Sequence, residues 1–173
     1  KVLAPYEPLR VADSQQAVVI SPVLRTFELD GLGFPRRIVS RGGDVLASPC
    51  RVIVTVNGAE HTVPAGGKLT ITDKKDWRVR FASDPVTVAG IRVQTTGYME
   101  QEGYTSIDLT YGPAGNGPVA LEGLRIEWPI DDSLGLHMAC MGKGNYCPRT
   151  IGAVPAGEGV VWSTKDDIGL GGT

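Results

Sequence analysis

Residues 77–81 read Trp-Arg-Val-Arg-Phe, a strict alternation of apolar and charged side chains. A period of two places successive side chains on opposite faces of a β-strand, whereas a helix requires apolar residues three or four positions apart. The pattern returns in residues 91–95, 106–111 and 124–128. We therefore predict antiparallel strands, each with one face on a core and the other in water.

Turn residues separate these strands at intervals of roughly eight to twelve residues, which is typical of β-sandwiches and barrels. Asn57-Gly58, between two apolar runs, is the clearest hairpin signal. Further turns are predicted at Ser21-Pro22 and at residues 41–44. The predicted fold class is all-β: one antiparallel β-sandwich, of the ordinary or the supersandwich type, with roughly ten to twelve strands and almost no helix.

Residues 1–162 are predicted to form this single module. Residues 163–173 form a polar, glycine-rich tail, which we interpret as a truncation or as a linker to a missing domain. Short helical turns are compatible only with residues 9–16 and 131–135. The predicted core comprises Val52, Val54, Trp77, Val79, Phe81, Ile91, Val93, Ile107, Leu109, Leu124, Ile126 and Trp128.

The composition excludes several classes of function. The chain has 17 Lys and Arg against 19 Asp and Glu, a formal net charge of −2, so nothing in its charge favours binding to nucleic acid or to an anionic membrane. The two histidines, His61 and His137, lie far apart, and no paired Cys-x-x-Cys motif occurs, so neither a metal nor a cofactor is predicted. No nucleophile motif of the Gly-x-Ser-x-Gly type is present, and no catalytic residue is predicted.

Two functions other than ligand binding are also compatible with the sequence at this point. A stand-alone carbohydrate-active hydrolase would use acidic residues near His137, and the candidates are Glu100, Glu102, Asp131 and Asp132. Glycoside cleavage needs two carboxyl groups facing each other, and none of these spacings is diagnostic of such a pair. The other alternative is a surface or assembly protein whose sheet edges pair with a partner.

The glycine-rich segment 137–149 is the predicted ligand-binding site. It concentrates an imidazole, a cation, an amide, a ring and a guanidinium, from His137, Lys143, Asn145, Tyr146 and Arg149. Glycines at 142 and 144 would let a ligand approach the backbone closely. Tyr104 is added as an exposed ring among polar neighbours. A long surface loop that merely crosses the sandwich is the competing interpretation.

Cys140 and Cys147 flank this segment. A disulfide between these two residues is one interpretation, and unpaired thiols are the other, since close spacing alone does not give bridging geometry.

Four segments, at residues 2–11, 31–54, 103–130 and 137–167, carry a resemblance to a known family. The first three resemble the N-terminal β-sandwich of large secreted bacterial proteins related to glycoside hydrolase family 123. The fourth resembles the segment that follows in those proteins, where a Pro-x-Gly-x-Gly run precedes Val-Trp. These motifs serve packing and turns, and they span nearly the whole chain.

The resemblance implies a parent protein with a β-sandwich in front and a catalytic (β/α)-barrel behind it. No catalytic carboxylate of that barrel has a counterpart here, so the chain is not expected to be an enzyme by itself. The leading hypothesis is a non-catalytic module that binds an oligo- or polysaccharide, or that braces the C-terminal catalytic barrel domain of the same parent. A secreted, periplasmic or cell-surface location, with the signal peptide already removed, is implied as well.

Overall fold

Strands account for the regular secondary structure of this computed structural model, which describes residues 7–13 and 17–134 together with the backbone of the strands between 137 and 172. None of the described residues forms a helix long and apolar enough to cross a membrane. The strands are β1 Arg10–Asp13, β2 Val18–Ser21, β3 Arg25–Leu29, β4 Pro35–Ser40, β5 Gly43–Asp44, β6 Arg51–Val56, β7 Ala59–Thr62, β8 Leu69–Lys74, β9 Arg78–Ser83, β10 Val86–Val88, β11 Ile91–Glu100, β12 Thr105–Pro113, β13 Leu121–Glu127, β14 His137–Gly142, β15 Asn145–Thr150, β16 Gly159–Ser163 and β17 Gly169–Gly172.

The chain divides into two compact units, Lys1–Pro129 and Ile130–Thr173. The first unit contains thirteen of the strands in three antiparallel sheets, with the orders β1-β2-β3-β4-β5, β10-β11-β9-β8 and β13-β6-β7; in the second sheet β12 also pairs with β11. The predicted all-β class and antiparallel pairing are therefore confirmed. Of the described strands, the first unit has thirteen and the second has four, against the ten to twelve predicted for one sandwich. That residues 1–162 form a single module stays a prediction.

The longest strand, β11, organises the second sheet. Strand β12 pairs along the whole of one edge of β11, from Ile91 to Met99. The opposite edge is shared, because β10 pairs with its first residues and β9 with its last. Residues of β9, β11 and β12 that face each other in this register therefore lie on a common surface of the sheet.

The interior of the first unit closes around Phe81, which is 1% exposed. Its ring occupies the space left by two glycines: a Cβ atom at Gly33 or at Gly97 would lie 2.7 Å from Phe81 Cε2. Gly97 is directly opposite Phe81 on β11, while Gly33 belongs to the β3–β4 turn of the first sheet. The Thr95 hydroxyl of β11 also donates to the carbonyl of Leu32 in that turn. These contacts join the buried faces of two sheets, as in a sandwich.

The core prediction is correct for the central strands and wrong at the edges. Six of its members are buried: Val52, Val54, Val79, Phe81, Ile91 and Val93. Ile107, Leu109 and Leu124 are only partly buried, and Ile126 and Trp128 are exposed. All five belong to β12, to β13 or to the residue after it, and each of these strands has a neighbour on one side only in the described part of the chain. Trp77 is exposed because it lies in the turn before β9, where the alternation of buried and exposed side chains along that strand does not apply.

Two local predictions need correction. Where the sequence is compatible with a helical turn at residues 9–16, Arg10–Asp13 pairs with β2 as an edge strand. Where it predicts a surface loop or a strand-crossing segment after His137, the backbone of β14 and β15 forms an antiparallel hairpin. The second unit continues from that hairpin into one sheet with the order β15-β14-β16-β17.

Candidate functional site

Three turns of the first unit are hydrogen-bonded to one another through Gln101. The Gln101 N–H donates to the carbonyl of Trp77 in the β8–β9 turn at 3.0 Å. The Gln101 carbonyl accepts from the N–H of Val23 in the β2–β3 turn at 2.9 Å. Its side-chain amide donates to the carbonyl of Glu7 at 2.5 Å. We call this assembly of turns the Gln101 junction.

Further contacts fix the β11–β12 turn against the β2–β3 turn. Arg25 Nη1 donates to the carbonyl of Glu102 at 3.0 Å. Gly103 has φ +89°, a conformation that side chains rarely adopt, and a Cβ there would lie 3.0 Å from Arg25 Nη1. The Glu100 N–H donates to the carbonyl of Tyr104 at 2.8 Å. Most of these bonds join backbone groups, so the turns are positioned by the main chain.

Aromatic rings lie beside this junction. Trp77 is 40% exposed and Tyr104 is 61% exposed, so both rings are accessible from solvent. Tyr104 lies against Tyr98 of β11, with ring centroids 6.0 Å apart and planes inclined at 45°. Desolvation raises the pKa of the Tyr98 hydroxyl, and the neighbouring Tyr104 adds to the effect.

The guanidinium groups of two arginines of β9 lie over these rings. The Arg78 guanidinium carbon lies 4.4 Å from the centre of the Trp77 ring and 5.8 Å from that of Tyr98. The Arg80 guanidinium carbon lies 5.6 Å from the Tyr98 ring centre. Arg80 pairs with Tyr98 in the β9–β11 register, so both project from the same surface of the sheet. We call Trp77, Arg78, Arg80, Tyr98 and Tyr104 the aromatic–arginine face.

The same β2–β3 turn holds a backbone outlier. Leu24 has φ +60° and its side chain is 74% exposed. A leucine in this left-handed region costs about 1 kcal/mol, and such strain often accompanies functional sites. A cleft of about 360 Å³ adjoins the turn and is lined by Glu7, Pro8, Arg10, Ser21, Pro22, Val23 and Leu24.

We expect Leu24→Gly to stabilise the protein by about 0.5–1 kcal/mol, because glycine adopts a positive φ without the steric cost. Urea denaturation measures the change. Asn57→Gly is the matched control: Asn57 also has a positive φ of 52°, but asparagine tolerates this region, so a smaller gain is expected. A loss of stability in Leu24→Gly would show that the exposed side chain holds the turn in place.

Of the sequence-predicted ligand residues, Tyr104 is found on the aromatic–arginine face. Lys143 lies outside the described residues, and so do the side chains of His137, Asn145, Tyr146 and Arg149. The backbone register places Asn145 opposite Gly142 and Tyr146 opposite Met141 in the β14–β15 hairpin. Cys140 is likewise opposite Cys147, while the thiols themselves are outside the described part. The site in segment 137–149 and the disulfide both stay predictions.

Trp77, Arg78 and Arg80 are not among the ligand residues that the sequence predicts. The alternation predicts Trp77 in the core, because a tryptophan at the head of an alternating strand has the correct parity for burial. One signal did point the other way: Trp77 follows Lys74-Lys75-Asp76, and three charged residues in a row indicate a solvated turn. Arg78 and Arg80 then follow as the outward residues of the strand.

Of the acidic residues of the hydrolase alternative, Glu100 is the half-buried last residue of β11, and the other three lie in or next to turns. The Asp131 carboxylate accepts from the Ser133 N–H at 2.9 Å and from the Ser133 hydroxyl at 2.5 Å, and these bonds lower the pKa of Asp131. This is the usual capping role of an aspartate in a turn. Glu102 and Asp132 are exposed. Among the described residues, no three His, Cys, Asp or Glu side chains converge as metal ligands do.

A second cleft, of about 370 Å³, contains a buried carboxyl group and a buried thiol. Its lining includes Asp30, Arg36 and Cys50. Asp30 Oδ1 accepts from the N–H groups of Leu32 and Phe34, each at 2.9 Å, and so holds the β3–β4 turn. Burial raises the pKa of Asp30 to about 6, against the lowering effect of these hydrogen bonds. Burial also raises the pKa of Cys50 to about 12, so this thiol is un-ionised and unreactive at neutral pH.

A β-sandwich fold serves many unrelated functions, so the fold alone does not identify this one. Residues 9–156 match the family model described as glycoside hydrolase 123, third domain, and the chain belongs to this family. It is thus a glycoside hydrolase-associated domain. None of the curated proteins matches the chain significantly. The resemblance to the glycoside hydrolase 123 family is confirmed. The matched family is a third domain, so the match does not support an N-terminal position in the parent protein.

Proposed function

We propose that this chain is a non-catalytic module that binds an oligo- or polysaccharide through the aromatic–arginine face. The observation that carries the proposal is the exposure of Trp77 and Tyr104 on turns fixed by the Gln101 junction. Membership of a glycoside hydrolase family makes carbohydrate the ligand class to test first. A secreted parent that degrades polysaccharide belongs to the same proposal.

The chemistry of the face suits sugars. The C–H faces of a pyranose pack against tryptophan and tyrosine rings, while its hydroxyl groups need nearby polar partners. Guanidinium groups and the tyrosine hydroxyls can supply these partners. Because backbone hydrogen bonds already hold the turns, binding loses little conformational entropy in the protein.

Bracing of a catalytic barrel is a second proposed role, and it would use a different surface. Strands β12 and β13, with the residue that follows β13, carry apolar side chains that are incompletely covered in the described part of the chain, among them Tyr111, Ile126 and Trp128. Exposed apolar groups on edge strands are typical of a surface that another domain covers. Such a contact would orient the module without any glycan.

We expect Trp77→Ala and Tyr104→Ala each to weaken glycan binding about tenfold, because each removes one stacking ring. Calorimetric titration with xylan, chitin, galactan and polygalacturonan oligosaccharides measures the affinity, and the melting temperature should change little. Tyr111→Ala is the matched control, since Tyr111 is 54% exposed but lies away from the junction on β12. It should leave the affinity unchanged.

Two results would count against the glycan proposal. One is an unmutated chain that binds no member of the panel, which would leave the bracing role. The other is equal weakening by Tyr111→Ala and Trp77→Ala, which would show that the face has no special part in binding.

A further inference from the structure

We infer that the glycan bound by the aromatic–arginine face is acidic and carries a carboxylate or a sulfate ester; this inference rests on the proposed function. It names the chemical class of the ligand from the two guanidinium groups of the face.

Several other arginines of the first unit form ion pairs with carboxylates. Arg37 pairs with Asp44 at 2.6 Å, Arg51 with Glu127 at 2.6 Å, and Arg125 with Glu60 at 2.5 Å. In contrast, neither Arg78 nor Arg80 has a carboxylate oxygen within 4 Å among the described residues. Their recorded side-chain partners are rings.

The strand register places an acidic residue opposite each of these arginines, but neither carboxylate forms an ion pair with its arginine. Glu100 is opposite Arg78 on β11, and Asp73 is opposite Arg80 on β8. The Asp73 carboxylate instead lies 3.7 Å from Lys75 Nζ. The Nε atom of Arg78 is buried and has no hydrogen-bond partner in the described part of the chain. An unsatisfied buried donor is costly. The groups beside this guanidinium are the Trp77 and Tyr98 rings, and no carboxylate pairs with it in the described part of the chain.

Stacking leaves the recognition edge of a guanidinium available. A ring covers the flat face of the group, while the N–H donors point outward in its plane. Carboxylate and sulfate oxygens match this fork and form charge-assisted bonds that are about twice as strong as neutral ones. Arg78 and Arg80 both lie within 6 Å of the Tyr98 ring centre, so one sugar stacked beside the ring could meet either cation.

The test compares acidic and neutral oligosaccharides of the same backbone at fixed ionic strength. The carboxylate arm uses an oligogalacturonide and its methyl ester, and the sulfate arm uses a sulfated and an unsulfated dextran oligosaccharide. We expect the acidic member of at least one arm to bind about tenfold more tightly than its neutral counterpart. Arg80→Gln should remove most of that preference, and because Arg80 is exposed this change should not impair folding.

Arg92→Gln is the matched control. Arg92 is exposed on the same surface of β11 as Tyr98, six residues and roughly 20 Å away, and its loss changes the net charge equally. An equal effect of Arg92→Gln and Arg80→Gln would overturn the inference in favour of general electrostatic attraction.

The two proposals fail in different ways. Equal affinity for acidic and neutral members, lost in Trp77→Ala, would overturn the acidic preference and leave glycan binding in place. No binding in any arm or to any member of the glycan panel would remove the proposed function itself.

Discussion

Gly97→Ala is expected to destabilise the protein by about 3 kcal/mol, the upper part of the usual range for overpacking a core. The added Cβ would lie 2.5 Å from the carbonyl oxygen of Ser106 and 2.7 Å from two atoms of the Phe81 ring. The ring has little room to move, because the backbone at Gly33 also lies close to it: a Cβ added there would be 2.7 Å from Phe81 Cε2. One methyl group would therefore disturb the pairing of β11 with β12 or the packing between two sheets.

Urea denaturation of the unmutated chain and of Gly112→Ala provides the comparison. Gly112 lies on β12, next to β11, and a Cβ at that position meets no atom within 4 Å. Its replacement should change the free energy of unfolding by less than about 0.5 kcal/mol. If Gly97→Ala were as stable as Gly112→Ala, the Phe81 ring would not be confined as described.

Asp30→Asn is expected to raise the free energy of unfolding by about 2 kcal/mol at pH 7, and by little at pH 4. The raised pKa, about 6 against an ordinary 3.8, means that the folded protein binds the proton more tightly than the unfolded chain does. Stability is therefore greatest below pH 3.8 as far as this group is concerned, and it falls as pH rises towards 6. The full shift corresponds to about 3 kcal/mol.

Asparagine keeps the side-chain oxygen that accepts from Leu32 and Phe34, and it removes the buried charge. The gain is smaller than the full 3 kcal/mol, because the amide adds N–H donors that need partners in the cleft. The difference between Asp30→Asn and the unmutated chain, measured by urea denaturation from pH 4 to pH 8, cancels the titration of other acids.

Asp30→Ala separates the charge from the hydrogen bonds. It leaves the two N–H groups without their acceptor and should destabilise the protein by about 2 kcal/mol relative to Asp30→Asn at every pH. A difference between Asp30→Asn and the unmutated chain that does not vary with pH would contradict the assignment of the raised pKa to Asp30.

Local sequence signals predict the hairpins of this fold well. Asn57 and Gly58 both have positive φ and join β6 to β7, as the Asn-Gly pair requires. Arg41 and Gly42 likewise join β4 to β5 with positive φ. Such turns depend on the conformational preferences of two adjacent residues, and these preferences can be inferred from the residue types alone.

The burial of a side chain depends on which strands pack against its own strand, and local sequence patterns do not predict these neighbours. Ile107 and Leu109 have the same alternation as Val79 and Phe81, yet β12 has a partner on one side only in the described part, and its side chains are less covered. The environment of Asp30 shows the same limit, since an aspartate before Gly-Leu-Gly reads as a solvated turn residue. The aromatic–arginine face also depends on register, which sets Tyr98 opposite Arg80.

At the Gln101 junction, the positions of the turns and the side chains that they expose are determined by different groups. Main-chain groups join Gln101 to Trp77 and to Val23, so these links do not depend on side-chain identity and would survive replacement by any residue that retains an N–H. The exposed side chains at Leu24, Trp77 and Tyr104 are then open to exchange without loss of the scaffold. For the proposed glycan binding, this means that ligand preference could be altered at these three positions while the backbone keeps its conformation.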